Sequence, residues 1–334
     1  MQRLERSDDS EDERVQWYAI WKVGSDFKLL NRIKMRRREF AGITAAASLG
    51  LLTTPYLGVS QSEVPPSGSI KKGIMWGNIG FGKTILEKFQ AAKSAGFDGV
   101  EVMSHLNREE VLHAKALTGL PVPSVCGSMH GKFPLSDPDS GVRAQGLDAL
   151  KVTIEDAKIY GADTILFVPG RVSETVGYDE CWDRSVAALK TMVPFAEKMG
   201  IILAIENVWN NFLLSPIEMA RYVDQFDSPF VRSYFDCGNV LVIGWPEQWI
   251  RILGKRIARI HIKEYSRKIA DKQGKWAGFG VALQEGDNNW PAIVKALDEV
   301  GYHSWATIEQ PGGDTPEGLN ELCRRLTNIL GQKS

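Results

Sequence analysis

From Ile70 to the C-terminus the chain alternates short, β-branched apolar runs with longer amphipathic segments, eight times over. Parallel strands cannot be joined by tight turns, and a helical crossover of a dozen or more residues supplies the return path. Strands are expected at Lys72–Trp76, Gly99–Met103, Ser124–Met129, Thr164–Val168, Ile201–Ile205, Arg232–Phe235, Ile257–Ile262 and Trp305–Ile308. Helices are expected at Thr84–Ala95, Asp179–Met199 and Asn289–Val300, each stopped by a glycine suited to a left-handed cap: Gly96, Gly200 and Gly301. Eight such units imply an α/β fold, a single closed (β/α)8 barrel over 70–332. An open doubly wound sheet is the alternative, but "GNIGFGKT" after the first strand matches neither nucleotide fingerprint.

The N-terminal part has a different character. Residues 1–34 are charged and lack an apolar period, and "MRRREFAGITAAASLGLL" then places Arg36, Arg37 and Arg38 before a short apolar stretch. That stretch falls well short of the ~20 residues of a membrane span, so no stable membrane anchor is expected. Segment 35–60 resembles a twin-arginine export signal, which implies translation from Met35, a misassigned start for 1–34 and a periplasmic protein. If the signal is not used, the protein is cytoplasmic; a basic amphipathic surface helix is the other reading of the segment. A Pro/Ser/Gly-rich linker closes at residues 61–69.

Composition narrows the partners. With a formal net charge of −1 and no long Lys/Arg stripe in the body, nucleic acid is not expected, and a small polar metabolite is. Cys126, Cys181, Cys237 and Cys323 form no CxxC pair, which argues against a zinc knuckle. Export would permit a disulfide without selecting its pairing, and self-association into a homo-oligomer is left open.

In such a barrel, chemistry collects where strands end at their C-terminal side. Glu206 closes "IILAIENVWN", Asp236 closes "VRSYFDCGN", His261 lies in "IARIHIKEY" and Glu309 closes "WATIEQPGG". Singly, each is more simply a cap, a surface charge or a satisfied core histidine. Together, strands five to eight deliver one ligand each to one rim, a set suited to Mn, Mg, Co or Zn.

The order Glu, Asp, His, Glu, with "AIENVWN", "YFDCGN", "HIKEY" and "TIEQPGG" around it, resembles the xylose isomerase-like TIM-barrel superfamily, and within it the sugar phosphate isomerase/epimerase group of ketose 3-epimerases and hydroxypyruvate isomerases. The resemblance implies Glu206, Asp236, His261 and Glu309 as ligands of a divalent metal ion, with Glu206 and Glu309 as the catalytic acid–base pair acting on a ketose or related keto-sugar. It departs where the epimerases commonly carry a histidine after the strand-six aspartate; Asn239 stands there and cannot titrate.

Further substrate contacts are expected from Lys263, two residues past His261 and so on the same side, from His130 after strand three, and from Glu101 on strand two. For Lys263 and Glu101 the competing role is a structural ion pair. Trp76, Trp209 and Arg171 are candidate pocket walls, Arg171 with phosphate in reach. "LQEGDNNW" resembles the family's loop before the last helix, with Asp287 or Asn288 as N-cap and Trp290 turned inward. The leading reading is a metal-dependent isomerase or epimerase. A dehydratase of an inosose or 3-keto-sugar and a non-catalytic sugar-binding barrel are its alternatives, and a trinuclear zinc endonuclease is remote because the chain has five histidines in all.

Overall fold

The computed structural model describes residues 70–331. The charged segment 1–34, the arginine-led segment 35–60 and the linker 61–69 lie outside the described residues, with every expectation placed on them. Eight parallel strands close in sequence order into one barrel: β1 (Lys71–Met75), β2 (Gly99–Met103), β3 (Val125–Cys126), β4 (Thr164–Phe167), β5 (Ile202–Glu206), β6 (Val231–Asp236), β7 (Ile257–Ile262) and β8 (Trp305–Ile308). Strand β8 pairs with β1, so no sheet edge is left open. The one strand much shorter than expected is β3. Gly127 still donates to Leu166 O at 2.8 Å, but a turn follows in which Lys132 and Phe133 both donate to Met129 O.

Around the barrel run α1 (Ile85–Ala95), α2 (Arg108–Thr118), α3 (Ser140–Tyr160), α4 (Tyr178–Met199), α5 (Pro216–Asp224), α6 (Cys237–Val240), α7 (Pro246–Leu253), α8 (Arg267–Gln273), α9 (Trp290–Glu299) and α10 (Pro316–Leu330). Their ends follow local chemistry. Thr84 and Glu87 close a reciprocal capping box on α1, while Gly96 and Gly200 take the left-handed conformation at the ends of α1 and α4. Helix α9 corrects the expected cap: Asn289 Oδ1 accepts from Ala292 N, because Asp287 is engaged with Arg267 N and Asn288 with Lys263 O.

Apolar side chains form two layers. The outer one, between strands and helices, contains Ile74, Val100, Ile165, Ile205, Phe235 and Ile260 with the inward faces of the helices. Burying each such side chain contributes roughly 1.5–3 kcal/mol. The inner layer fills the barrel with Met75, Met103, Cys126, Leu166, Ala204, Tyr234 and Ala258. All four cysteines are buried and free, so none of them forms a disulfide.

Register carries the same alternation to the rim. Across a parallel ladder, paired residues point to the same face, and so do residues two apart on one strand. Glu206 pairs with Tyr234, Asp236 with His261, and His261 with Thr307, two residues before Glu309. With Tyr234 in the inner layer, the whole series faces the barrel axis. A register shift between Ser233 and Tyr234 on β6 is what sets Asp236 opposite His261.

Candidate metal centre and active site

Glu206 and Asp236 are the last residues of β5 and β6, His261 is the penultimate residue of β7, and Glu309 follows β8 directly. One ligand atom from each lies within 4.8 Å of every other. His261 Nδ1 stands 3.0 Å from Glu206 Oε1, 3.3 Å from Glu309 Oε2 and 4.0 Å from Asp236 Oδ2. The first three residues are buried, whereas Glu309 keeps 24% of its side chain exposed, so the cluster opens on that side.

The donors fit a divalent cation. Three carboxylates packed together repel unless positive charge lies among them, and Asp236 Oδ2 and Glu309 Oε2 are buried without a well-formed hydrogen bond. Asp236 Oδ1 is already engaged, accepting from Asn239 N at 2.7 Å as the N-cap of α6, which leaves Oδ2 as the available ligand. Asn207 fixes the same residue through its backbone: Oδ1 accepts from Asp236 N and Nδ2 donates to Asp236 O, both at 2.9 Å.

The proton affinities of the protein groups tell the same story. Burial pushes Glu206 up to about 7, with the His261 hydrogen bond opposing it. Burial would also raise Glu309, but Lys263 and His261 beside it hold its carboxyl well below the usual range. Burial disfavours the charged form of His261, yet Tyr234, Glu101 and Glu309 together push its pKa well above an ordinary imidazole's. The site calls for a positive charge at its centre, and either a proton or a cation answers.

The remaining sequence candidates fall into place around this cluster. Lys263 lies against it, its Nζ 3.2 Å from Asp236 Oδ2 and 2.5 Å from Glu309 Oε2, so the ion pair anticipated for it is present. Glu101 takes the structural ion-pair role that stood as the alternative to substrate contact. It lies beneath His261, fully buried, bonded to His261 Nε2 at 2.8 Å and to the hydroxyls of Tyr234 and Ser124, and does not face the mouth. Asn239 is buried too, its Nδ2 donating to Asn207 O and its backbone carbonyl accepting from Trp209 Nε1, so it braces the β5 and β6 loops.

His130 follows β3, half-buried, with Nδ1 lacking a hydrogen-bond partner; burial lowers its pKa to about 4, against the pull of Glu309, so it is neutral at neutral pH. Trp209 joins an aromatic wall, with ring centroids 4.5 Å from Trp276, 4.7 Å from Phe279 and 5.6 Å from Tyr265. Phe279 in turn lies 5.4 Å below Lys263 Nζ. Trp76 occupies the turn after β1 and packs on both apolar layers, with Lys88 Nζ 4.5 Å from its ring. Arg171 is exposed, and only its backbone is tied, through Ser136 Oγ. No described contact joins Arg171 to the cluster.

Three buried residues escaped sequence reasoning. Glu264 accepts from Trp290 Nε1 and from the backbone N–H groups of Tyr265, Gln284 and Asn288. Gln310 accepts from Glu264 N at 2.6 Å and donates to the carbonyls of Phe279 and Val281. Asn207 is the third. Each sits beside a ligand or next to Lys263 in sequence, and the signal that could have found them is that adjacency, a polar residue following a rim ligand and pointing away from the mouth.

Fold and site define a parallel (β/α)8 barrel bearing a cluster of four residues able to hold a metal ion at the C-terminal ends of its last four strands. Residues 89–329 match the xylose isomerase-like TIM barrel model, and the chain belongs to that family. The L-ribulose-5-phosphate 3-epimerase UlaE of Escherichia coli (strain K12) is 34% identical over 290 residues, covering 78% of this chain and 96% of that protein. The protein of the same name from Salmonella paratyphi A is 31% identical over 281 residues, covering 78% and 96%. Among solved structures, an L-ribulose 3-epimerase superposes with a TM-score of 0.66 at 18% identity, covering 78% of this chain and 94% of that one. The 3-keto-D-glucoside 4-epimerase YcjR from E. coli gives 0.65 at 19%, covering 78% and 98%. These two likenesses show the fold. The chain is an enzyme of the sugar isomerase/epimerase type.

Proposed function

We propose that this enzyme is divalent-metal-dependent and removes a proton from the carbon beside the carbonyl of a ketose or related keto-sugar, a proton added to the opposite face then giving the epimer. The observation that carries this reading is the pairing of Glu206 and Glu309 at the two ends of one ligand arc, with Asp236 and His261 between them. Relatives named as ketose and ketose-phosphate 3-epimerases support it.

Glu206, Asp236, His261 and Glu309 would hold the cation, which when bound supplies Lewis acidity to a carbonyl and its neighbouring hydroxyl. The protein's own groups handle the proton. Two carboxylates in unlike surroundings divide acid and base work between them: burial lifts Glu206 to about 7, near the pH at which it must exchange protons, while Lys263 and His261 keep Glu309 ionised. One takes the carbon-bound proton and the other delivers a proton to the opposite face. Lys263, held at the open side of the cluster, is placed to bond a substrate oxygen. Sugars lacking phosphate are the preferred substrates in this reading, in keeping with the export signal the sequence suggests.

Glu206→Gln and Glu309→Gln are each expected to lower kcat by at least ~10³-fold, removing a proton carrier while keeping an oxygen ligand. Circular dichroism should match the wild type. A ketose panel, with and without phosphate, provides the assay; near-wild-type turnover in either variant contradicts the acid–base assignment.

A further inference from the structure

Glu101 is the middle residue of β2 and has no solvent exposure. A carboxylate so placed persists only if donors surround it, and three do: His261 Nε2 at 2.8 Å from Oε1, Tyr234 hydroxyl at 2.5 Å from Oε2, and the Ser124 hydroxyl on the same Oε2. An ionised carboxylate only accepts, so all three contacts run towards Glu101. Both ring nitrogens of His261 face a carboxylate, Nε2 that of Glu101 and Nδ1 that of Glu206; with a cation among the ligands the ring is neutral, its proton stays at Nε2 towards Glu101, and the lone pair is at Nδ1. That nitrogen is the one facing Glu206, Asp236 and Glu309.

We propose that Glu101 is a positioning residue for the metal ion: by accepting Nε2–H it fixes the tautomer and ring orientation of His261 and strengthens Nδ1 as a ligand. The inference rests on the metal reading given above. The physical reason is that a hydrogen bond to a full negative charge shifts electron density through the imidazole to the opposite nitrogen, and the packed Tyr234 ring, 4.5 Å from the imidazole centroid, restricts its rotation. Tyr234 and Ser124 hold Glu101 in turn, so a chain of side chains from β2, β6 and the residue before β3 supports one ligand on β7.

Isothermal calorimetry with Mn²⁺ on chelator-stripped wild type, Glu101→Gln and Glu101→Asp tests this. Glutamine keeps shape but loses charge, and aspartate keeps charge but withdraws it from the ring. Both are expected to bind Mn²⁺ some 10- to 100-fold more weakly than wild type. Wild-type affinity within twofold in both variants overturns the role of Glu101 while leaving the metal site intact, whereas a wild type that takes up no Mn²⁺ overturns the metal reading and this inference with it. The tautomer can be read without any variant, by ¹⁵N-histidine NMR of the Zn²⁺-loaded wild type. A protonated Nε2 and unprotonated Nδ1 on His261 are expected; the reverse assignment overturns the proposal.

Discussion

Lys263 is the residue on which the site's electrostatics turn. Its ammonium lies between Asp236 Oδ2 and Glu309 Oε2, the same two oxygens that are buried without a well-formed hydrogen bond. A lysine there answers part of the carboxylate charge but also repels an incoming cation. Lys263→Met is therefore expected to move two quantities in opposite directions: Mn²⁺ affinity should rise on the order of tenfold, and kcat/KM should fall because a group placed for a substrate oxygen is gone. Calorimetry and steady-state kinetics on one preparation read both, and weaker Mn²⁺ binding in the variant would contradict the arrangement. The clustering of Glu206, Asp236, His261 and Glu309 was legible in the sequence because each stands at a strand end, and strand parity gives the inward direction. Which of its two roles Glu101 takes was not legible, because parity turns its side chain inward but its depth below the rim depends on how far each strand is staggered against the next. The contact of Asn239 was hidden in the same way, since its Nδ2 turns to the carbonyl of Asn207, on a neighbouring strand's loop.

At the scale of elements, the segment between β7 and α9 decides how the mouth is walled. It contributes Trp276 and Phe279 to the aromatic cluster with Trp209, and Glu264 and Gln310 anchor it from below. Both carboxylate oxygens of Glu264 receive two donors each: Oε1 from Tyr265 N and Asn288 N, Oε2 from Gln284 N and Trp290 Nε1. Gly286 makes this packing feasible, because a Cβ there would come within 2.6 Å of Glu264 Oε1 and 2.5 Å of Tyr265 O. Glu264→Gln sets an amide NH₂ against N–H groups that have no other acceptor nearby, so stability to urea should drop by about 1–3 kcal/mol. An unchanged unfolding midpoint would show that the anchor contributes nothing. The sequence located α9 through the glycine that follows it, Gly301, but misplaced its cap and did not show α8. Asp287 and Asn288 are both competent N-caps, and only the tertiary contacts to Arg267 and Lys263 remove them from the choice.

For the molecule as a whole, the closed barrel followed from the eightfold alternation, and its strand order needed no further information because successive parallel units neighbour one another. What the alternation does not contain is the substrate. Loops of unlike length, the two-residue β3 and the aromatic wall shape the mouth, and those depend on contacts between distant parts of the chain. The central claim is that cation-assisted proton transfer at a sugar carbon passes between Glu206 and Glu309. Proton NMR of the Mg²⁺-loaded enzyme turning over a ketose in heavy water tests it most directly. The expected result is an epimer carrying one solvent deuteron at the inverted carbon, abolished by a chelator and restored by Mg²⁺. An epimer free of deuterium, a product that has lost water, or turnover indifferent to the chelator would contradict the account.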